Sequence, residues 1–252
     1  MSLLQSGRPT RLALSSLSLM FFIFAGYAVS AEKTPTLNLP PPAQLHYVIR
    51  ADIKGLTVEG KGFIDWDSNR QSYRLLSETR TALTGILLSE KSEGSVDRSG
   101  FAPTSFSSKR FRKESVATYF DRKSGKIQFP GDGPPQVLRG GEQDRLSVLW
   151  QLLCLARTSP ARFTPGSQWT FFVLGQQDGE DWIFEVKDRQ PLRTPLGELD
   201  ALHVVRIPAE NSNSPRMDIW FAPALEWFPA RLRLTETNGD YIEQSLEKMD
   251  KK

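Results

Sequence analysis

At 252 residues, with hydrophobic side chains at 39% and charged ones at 24%, the chain is long enough for one large domain with its own core and too apolar to stay disordered. Its formal charge of +3 includes Arg8 and Arg11, which lie in an apolar N-terminal segment without acidic residues, so the remainder carries only +1. A surplus that small, spread along the chain, offers no clustered basic face, and nucleic-acid binding is excluded.

Residues 1–31 read as a cleaved signal peptide. Arg8 and Arg11 form the positive region, Leu12 to Tyr27 the apolar run, and Val29-Ser30-Ala31 the small residues before a cut after Ala31. The apolar run falls short of the ~20 residues of a spanning helix and is interrupted by Ser15, Ser16 and Ser18. With no cysteine near the cut to carry a lipid, the expected product is periplasmic and has no stable membrane anchor. Residues 32–43 form an extended leader, because Pro35, Pro40, Pro41 and Pro42 fix φ and remove ladder donors.

The domain proper is expected over residues 44–249, and its dominant pattern is period-two alternation. Tyr47, Ile49, Ala51 and Ile53 share one face of a first strand that ends at Gly55. Strands at Leu56 to Trp66 and Gln71 to Thr81, joined by Asp67-Ser68-Asn69-Arg70, complete a meander. Further strands fall at Glu90 to Asp97, Pro103 to Lys113 and Ser115 to Asp121. Both faces of Ser105 to Arg112 are polar, which predicts an edge strand. Pro130-Gly131-Asp132-Gly133-Pro134-Pro135 breaks the pattern.

One helix is predicted near residues 145–157, opened by Asp144 as N-cap and closed by Thr158-Ser159-Pro160. It is apolar nearly all round, leaving Ser147, Gln151 and Cys154 as a narrow polar stripe, so it must be buried on several sides. Cys154 is the only cysteine; no intramolecular disulfide can form, and the thiol is expected inside. Beyond the helix, strands at Trp169 to Gly175, Trp182 to Lys187, Ala201 to Ile207, Met217 to Phe221, Ala230 to Thr235 and Tyr241 to Leu246 follow, the last two joined by Asn238-Gly239, a strong hairpin signal.

No residue pattern carries catalysis. Asp65, Asp67 and Asn69 alternate like the opening of a calcium loop, but Arg70 stands where glycine is needed and Leu76 where the bidentate glutamate belongs. His46 and His203, the only histidines, lack partners at metal-ligand spacing, so no metal site is predicted. No G-x-S-x-G elbow presents a serine, and Gly140-Gly141 lacks the rest of a phosphate-binding fingerprint, so no cofactor is predicted either. Aromatic residues crowd the C-terminal half. Trp150, Trp169, Phe171, Trp182, Trp220 and Trp227 are the candidate ligand-lining residues, suited to an apolar or amphipathic ligand if some of them face a cleft.

The block Asp218-Ile219-Trp220-Phe221-Ala222-Pro223, followed by Trp227-Phe228-Pro229-Ala230-Arg231-Leu232, resembles the bacterial exported family catalogued as domain of unknown function 3108. Asp144 with Ser147, Pro165-Gly166-Ser167 and Thr194-Pro195-Leu196-Gly197 fall in that family's order. The resemblance implies export, an antiparallel β fold and no assigned catalytic residue. The expected architecture is mainly β, a single curved antiparallel sheet or incomplete β-barrel with one buried helix in its concavity, which resembles the open barrels of periplasmic lipoprotein carriers. The expected role is a non-enzymatic binding module for a lipid-like amphipathic ligand or a peptide. The alternatives are an envelope protein-protein interaction module without a ligand cavity, acting through the Ser105 to Arg112 strand, and, behind it, a hydrolase.

Overall fold

In the computed structural model, which describes residues 37–252 apart from positions 70, 98, 99, 132, 210, 211 and 213, the alternating segments pair into one sheet. The signal-peptide segment, most of the proline-rich leader, Arg70 and Asp132 lie outside the described residues. No described helix is long and apolar enough to cross a membrane.

The first half of the chain is a meander that steps outward: β1 (Ala43–Ile53), β2 (Leu56–Ser68), β3 (Ser72–Thr81), β4 (Gly85–Asp97), β5 (Gly100–Arg110), β6 (Val116–Asp121), β7 (Lys126–Gln128) and β8 (Gln136–Val137). A short strand, β9 (Gln143–Asp144), and the helix α1 (Ser147–Thr158) then carry the chain away from β8. The second half steps back through β10 (Gln168–Leu174), β11 (Gly179–Thr194), β12 (Gly197–Ile207), β13 (Arg216–Phe221), β14 (Pro229–Thr235) and β15 (Tyr241–Lys251). The two meanders join where β15 pairs with β1, from Ala43↔Lys251 to Asp52↔Tyr241. All pairings are antiparallel except β9 on β10.

The result is an open, curved sheet that is not closed into a barrel. Strands near its two ends, β5 and β6 on one side and β9 and β10 on the other, meet through side chains instead of a ladder. The Thr118 hydroxyl on β6 donates to Gly175 O beyond β10 at 2.9 Å, and Gln143 Nε2 on β9 donates to Phe101 O on β5 at 2.7 Å.

Turn chemistry decides the hairpins. Gly239 adopts φ 90°, which costs glycine little, and Glu236 N–H bonds to Asp240 O across the Asn238-Gly239 turn. Asn69 Oδ1 accepts from the backbone of Gln71 and Ser72, while Asp65 and Asp67 both pair with Lys252. The alternating acids thus serve a turn and an ion pair. Pro223 opens a short 3-10 turn and Pro229 starts β14, so both prolines punctuate pairing, and Arg231 reaches Glu243 on the neighbouring strand.

One expectation is corrected. The Ser105 to Arg112 segment is no edge: β5 pairs with β4 along its whole length and with β6 through Ser105–Ser108. Its second polar face points into a buried polar group, where Ser108 is 3% exposed and bonds to Glu90. A polar face signals exposure only when nothing inside can hydrogen-bond to it. The margins are instead β8 and β9.

The helix polar stripe is also inside. Ser147, Gln151 and Cys154 are buried, and Gln151 Oε1 accepts from Phe101 N–H at 2.8 Å. Burial pushes the Cys154 thiol far above its usual range, leaving it protonated. Trp150 packs at 6.0 Å from Trp66 on β2 and 6.4 Å from Phe228 just before β14, so it touches both halves of the chain. The described part of the leader docks on the C-terminal end of the helix: Asn38 N–H donates to Thr158 Oγ1, and Arg157 Nε donates to Asn38 O.

The helix starts later than the sequence predicts, at Ser147, yet Asp144 still caps it. Asp144 Oδ1 accepts from Leu146 N–H and Ser147 N–H at 2.9 and 2.8 Å, and Ser147 Oγ accepts from Asp144 N–H at 2.9 Å. Its other oxygen accepts from Ser92 Oγ at 2.5 Å, and Ser92 in turn contacts the Tyr73 hydroxyl at 2.9 Å. Burial outweighs the stabilising hydrogen bonds from Ser92, Leu146 and Ser147 and raises the carboxyl from the ordinary value of about 3.9 to about 6.

Two outcomes follow. Leu153→Ala, at a fully buried helix position, lowers urea unfolding free energy by about 2–5 kcal/mol; a loss below about 1 kcal/mol would show the helix is not core. Asp144 contributes stability that is fully present below its unfolded pKa and is lost as pH rises through about 6. The wild type therefore loses about 3 kcal/mol relative to Asp144→Asn between about pH 4 and about pH 7. Parallel stability-pH curves for the two proteins would refute the buried acid.

Candidate functional site

Alternation that places apolar residues on the core side of each strand also leaves a gap where the start of α1 faces the sheet. Leu146, Leu149 and Trp150 form one wall of a cavity of about 290 Å³. Ile64 on β2 and Leu88 on β4 come from the first meander; Met217 on β13, Leu232 on β14 and Ile242 on β15 come from the second. Its volume sits near the lower end of the ~300–1,000 Å³ usual for ligand pockets.

The polar side chains at this cavity are unusual for their charge. Arg206 is 3% exposed, lies at 4.1 Å over the Trp182 ring, and donates from Nη2 to Glu180 at 2.8 Å and from Nη1 to Pro215 O at 3.2 Å. Burial lowers its pKa, Glu180 opposes that, and the nearby positive Arg145 adds to it. Trp182 Nε1 donates to the same Glu180 oxygen at 2.9 Å. Glu90 is raised by burial, while Arg145 and Arg110 favour its charged form. Arg110 and Arg145 line the same space.

Of the six aromatic candidates, the structure brings Trp150 and Trp182 to this cavity. The other four lie elsewhere. Trp169 stacks on Phe163 at 4.5 Å beneath Arg162, and Phe171 packs edge-on to Phe184 at 6.1 Å. Trp220 stacks flat on His203 at 4.6 Å, and Trp227 sits under Arg189 at 5.6 Å. Sequence reasoning passed over the charged members. For Arg206 a signal exists: Leu202, Val204 and Arg206 share the inward side of β12, and an arginine at a position where alternation demands an apolar residue marks a buried polar site. Arg110, Arg145, Glu90 and Glu180 carry no such local mark, since only the tertiary fold gathers them.

His203 has a partner that sequence spacing did not reveal. Its Nε2 is 2.8 Å from Asp218 Oδ1, but Asp218 also takes Arg216 Nη2 on Oδ1 and Arg216 Nε on Oδ2. Burial raises the Asp218 carboxyl, yet the bonds from His203 and Arg216 prevail and leave its pKa lowered. The trio clamps β12 to β13, with every acceptor of the acid engaged.

Comparison with known proteins gives the following. No match is found among curated proteins. Among solved structures the chain is similar to a domain provisionally assigned as an outer-membrane lipoprotein-sorting protein from Vibrio parahaemolyticus, at 6% identity over 84% of this chain and 86% of that one, TM-score 0.30. It is similar to a DUF1329 family protein from Desulfovibrio piger at 5% identity over 84% and 86% of the two chains, TM-score 0.29. A LolA superfamily protein from Nitrosomonas europaea shows 8% identity over 87% and 90%, TM-score 0.24. The family model described as protein of unknown function (DUF3108) matches residues 44–247, which takes in all of α1 and nearly all of the sheet. The chain is a member of the DUF3108 family.

Proposed function

We propose that this protein is an exported, non-enzymatic binding module that holds the apolar part of an amphipathic ligand between α1, lying in the concavity of the sheet, and the core face of the strands. One observation carries the reading: a cavity of about 290 Å³ to which both meanders and the helix contribute apolar side chains. Aliphatic and aromatic side chains from α1 and the strands face charged ones, Glu90, Glu180 and three arginines, the mix expected where an apolar chain meets a polar end. Export rests on Arg8, Arg11 and the apolar run before Val29-Ser30-Ala31. On this reading the mature chain begins at Glu32 and works in the periplasm.

The reading predicts a chain-length series. With uncharged n-alkanols measured by calorimetry, each added methylene tightens binding by about 0.8 kcal/mol, about fourfold, until the cavity is full. Met217→Trp, which fills the cavity from the β13 side, weakens binding at least about tenfold while the circular dichroism spectrum stays unchanged. Affinity that is flat with chain length, or unaltered in Met217→Trp, overturns the proposal.

A further inference from the structure

The walls of this cavity hold hydrogen-bond donors that the protein does not use. Trp150 is 1% exposed and lines the cavity, yet its indole Nε1 is buried with no hydrogen-bond partner among the described residues. Arg206, also nine-tenths buried or more, bonds through both terminal nitrogens but leaves Nε buried without a partner. Arg110 and Arg145 line the cavity as well, and neither forms a hydrogen bond or close ion pair through its side chain among the described residues. A buried N–H left unpaired costs free energy, and guanidinium groups facing one space repel one another.

The acceptors are in the opposite condition. Glu180 already receives Arg206 Nη2 and Trp182 Nε1 on one oxygen, and Glu90 is bonded to Ser108. Three arginines against two engaged carboxylates leave a surplus of positive charge and of donors, and the complement of that surplus is an acceptor-rich anion.

Arg110 and Arg145 also line an adjoining cleft of about 370 Å³, where Lys113 is the third cation and Glu114 and Asp178 are the acids. These two arginines therefore stand at the junction of the cavity and a solvent-open cleft in which basic side chains outnumber acidic ones by one. Arg145 is held close to the backbone there: a Cβ added at Gly175 would lie 3.0 Å from its Nη2.

We infer that the ligand is an anionic single-chain amphiphile, whose carboxylate or phosphate head docks at Arg110 and Arg145 while its apolar tail occupies the cavity against Trp150 and Trp182. This rests on the proposed binding role and specifies the chemistry it selects. Tail length supplies affinity and the arginine pair supplies charge selection, since a bidentate guanidinium matches a carboxylate or phosphate and rejects a cation. A neutral head of the same chain length forgoes the charge-assisted hydrogen bonds to these arginines and binds more weakly.

The test uses the mature full chain and four probes of one chain length below their micellar concentrations: dodecanoate, dodecyl phosphate, dodecanol and dodecyltrimethylammonium. Calorimetry is expected to show one or both anions binding at least about tenfold tighter than the alcohol, and the cation weakest. Arg110→Gln and Arg145→Gln should each weaken the anions about tenfold and dodecanol by no more than about twofold; both positions are exposed, so the fold tolerates them. Equal binding of alcohol and anions, or equal loss of both in the variants, overturns the charge selection while leaving the apolar site standing. If none of the four binds, both readings fall. Displacement of dodecyl phosphate by comparable concentrations of inorganic phosphate would show that head and tail sites serve separate molecules, which also overturns the inference.

Discussion

The structure turns on a helix that cannot face water. Nine of the twelve residues of α1 are buried, and they include its serine, its glutamine and its cysteine. An element apolar on every side needs cover from more than one direction, and a single meander presents only one face. Cover comes from both: Trp66 and Phe101 belong to the first half of the sheet, Phe228 lies beside the second, and all join one core with Trp150. The curvature of the sheet and the approach of the strands near its two ends through Thr118 and Gln143 are the geometric consequences.

The polar groups near the helix start follow from the same constraint. Once Asp144 is drawn inside to satisfy the first backbone N–H groups of α1, its second oxygen needs a partner, and Ser92 backed by Tyr73 supplies it. The next residue, Arg145, is left exposed at the cleft. Two adjacent residues thus divide the work: the acid fixes where the helix begins, and the base is thereby placed at the mouth of the cavity. Leu146, Leu149 and Trp150 continue the same turn into the apolar wall, so the cap sets the position of the whole wall.

Much of the fold is legible in the sequence because its signals are local. Alternation marks β1 to β3, Asn238-Gly239 marks the last hairpin, and the apolar run after Asp144 marks the helix. What stays hidden depends on partners distant in the chain. Ser108 reads as an edge residue until Glu90 is seen opposite it, and Gln151 reads as solvent-facing until Phe101 N–H is found to meet it. The site behaves likewise. Trp150 and Trp182 are recoverable as bulky aromatics, but Trp169, Phe171, Trp220 and Trp227 have the same appearance in the sequence and pack against Phe163, Phe184, His203 and Arg189 instead. Composition cannot separate a wall from a stack, whereas an arginine out of phase with the alternation of β12 can be noticed.

The central seam between β1 and β15 has a kinetic meaning. Its partners are separated by nearly the full span of the described chain, as in Leu45↔Met249, and the entropy of closing such a loop must be met before the contact rewards it. Until Tyr241–Lys251 emerges, β1 lacks one of its two neighbours and the two meanders have no ladder between them. A chain whose β15 has not yet paired therefore stays divided into two meanders without a shared ladder, and their joining waits for that strand.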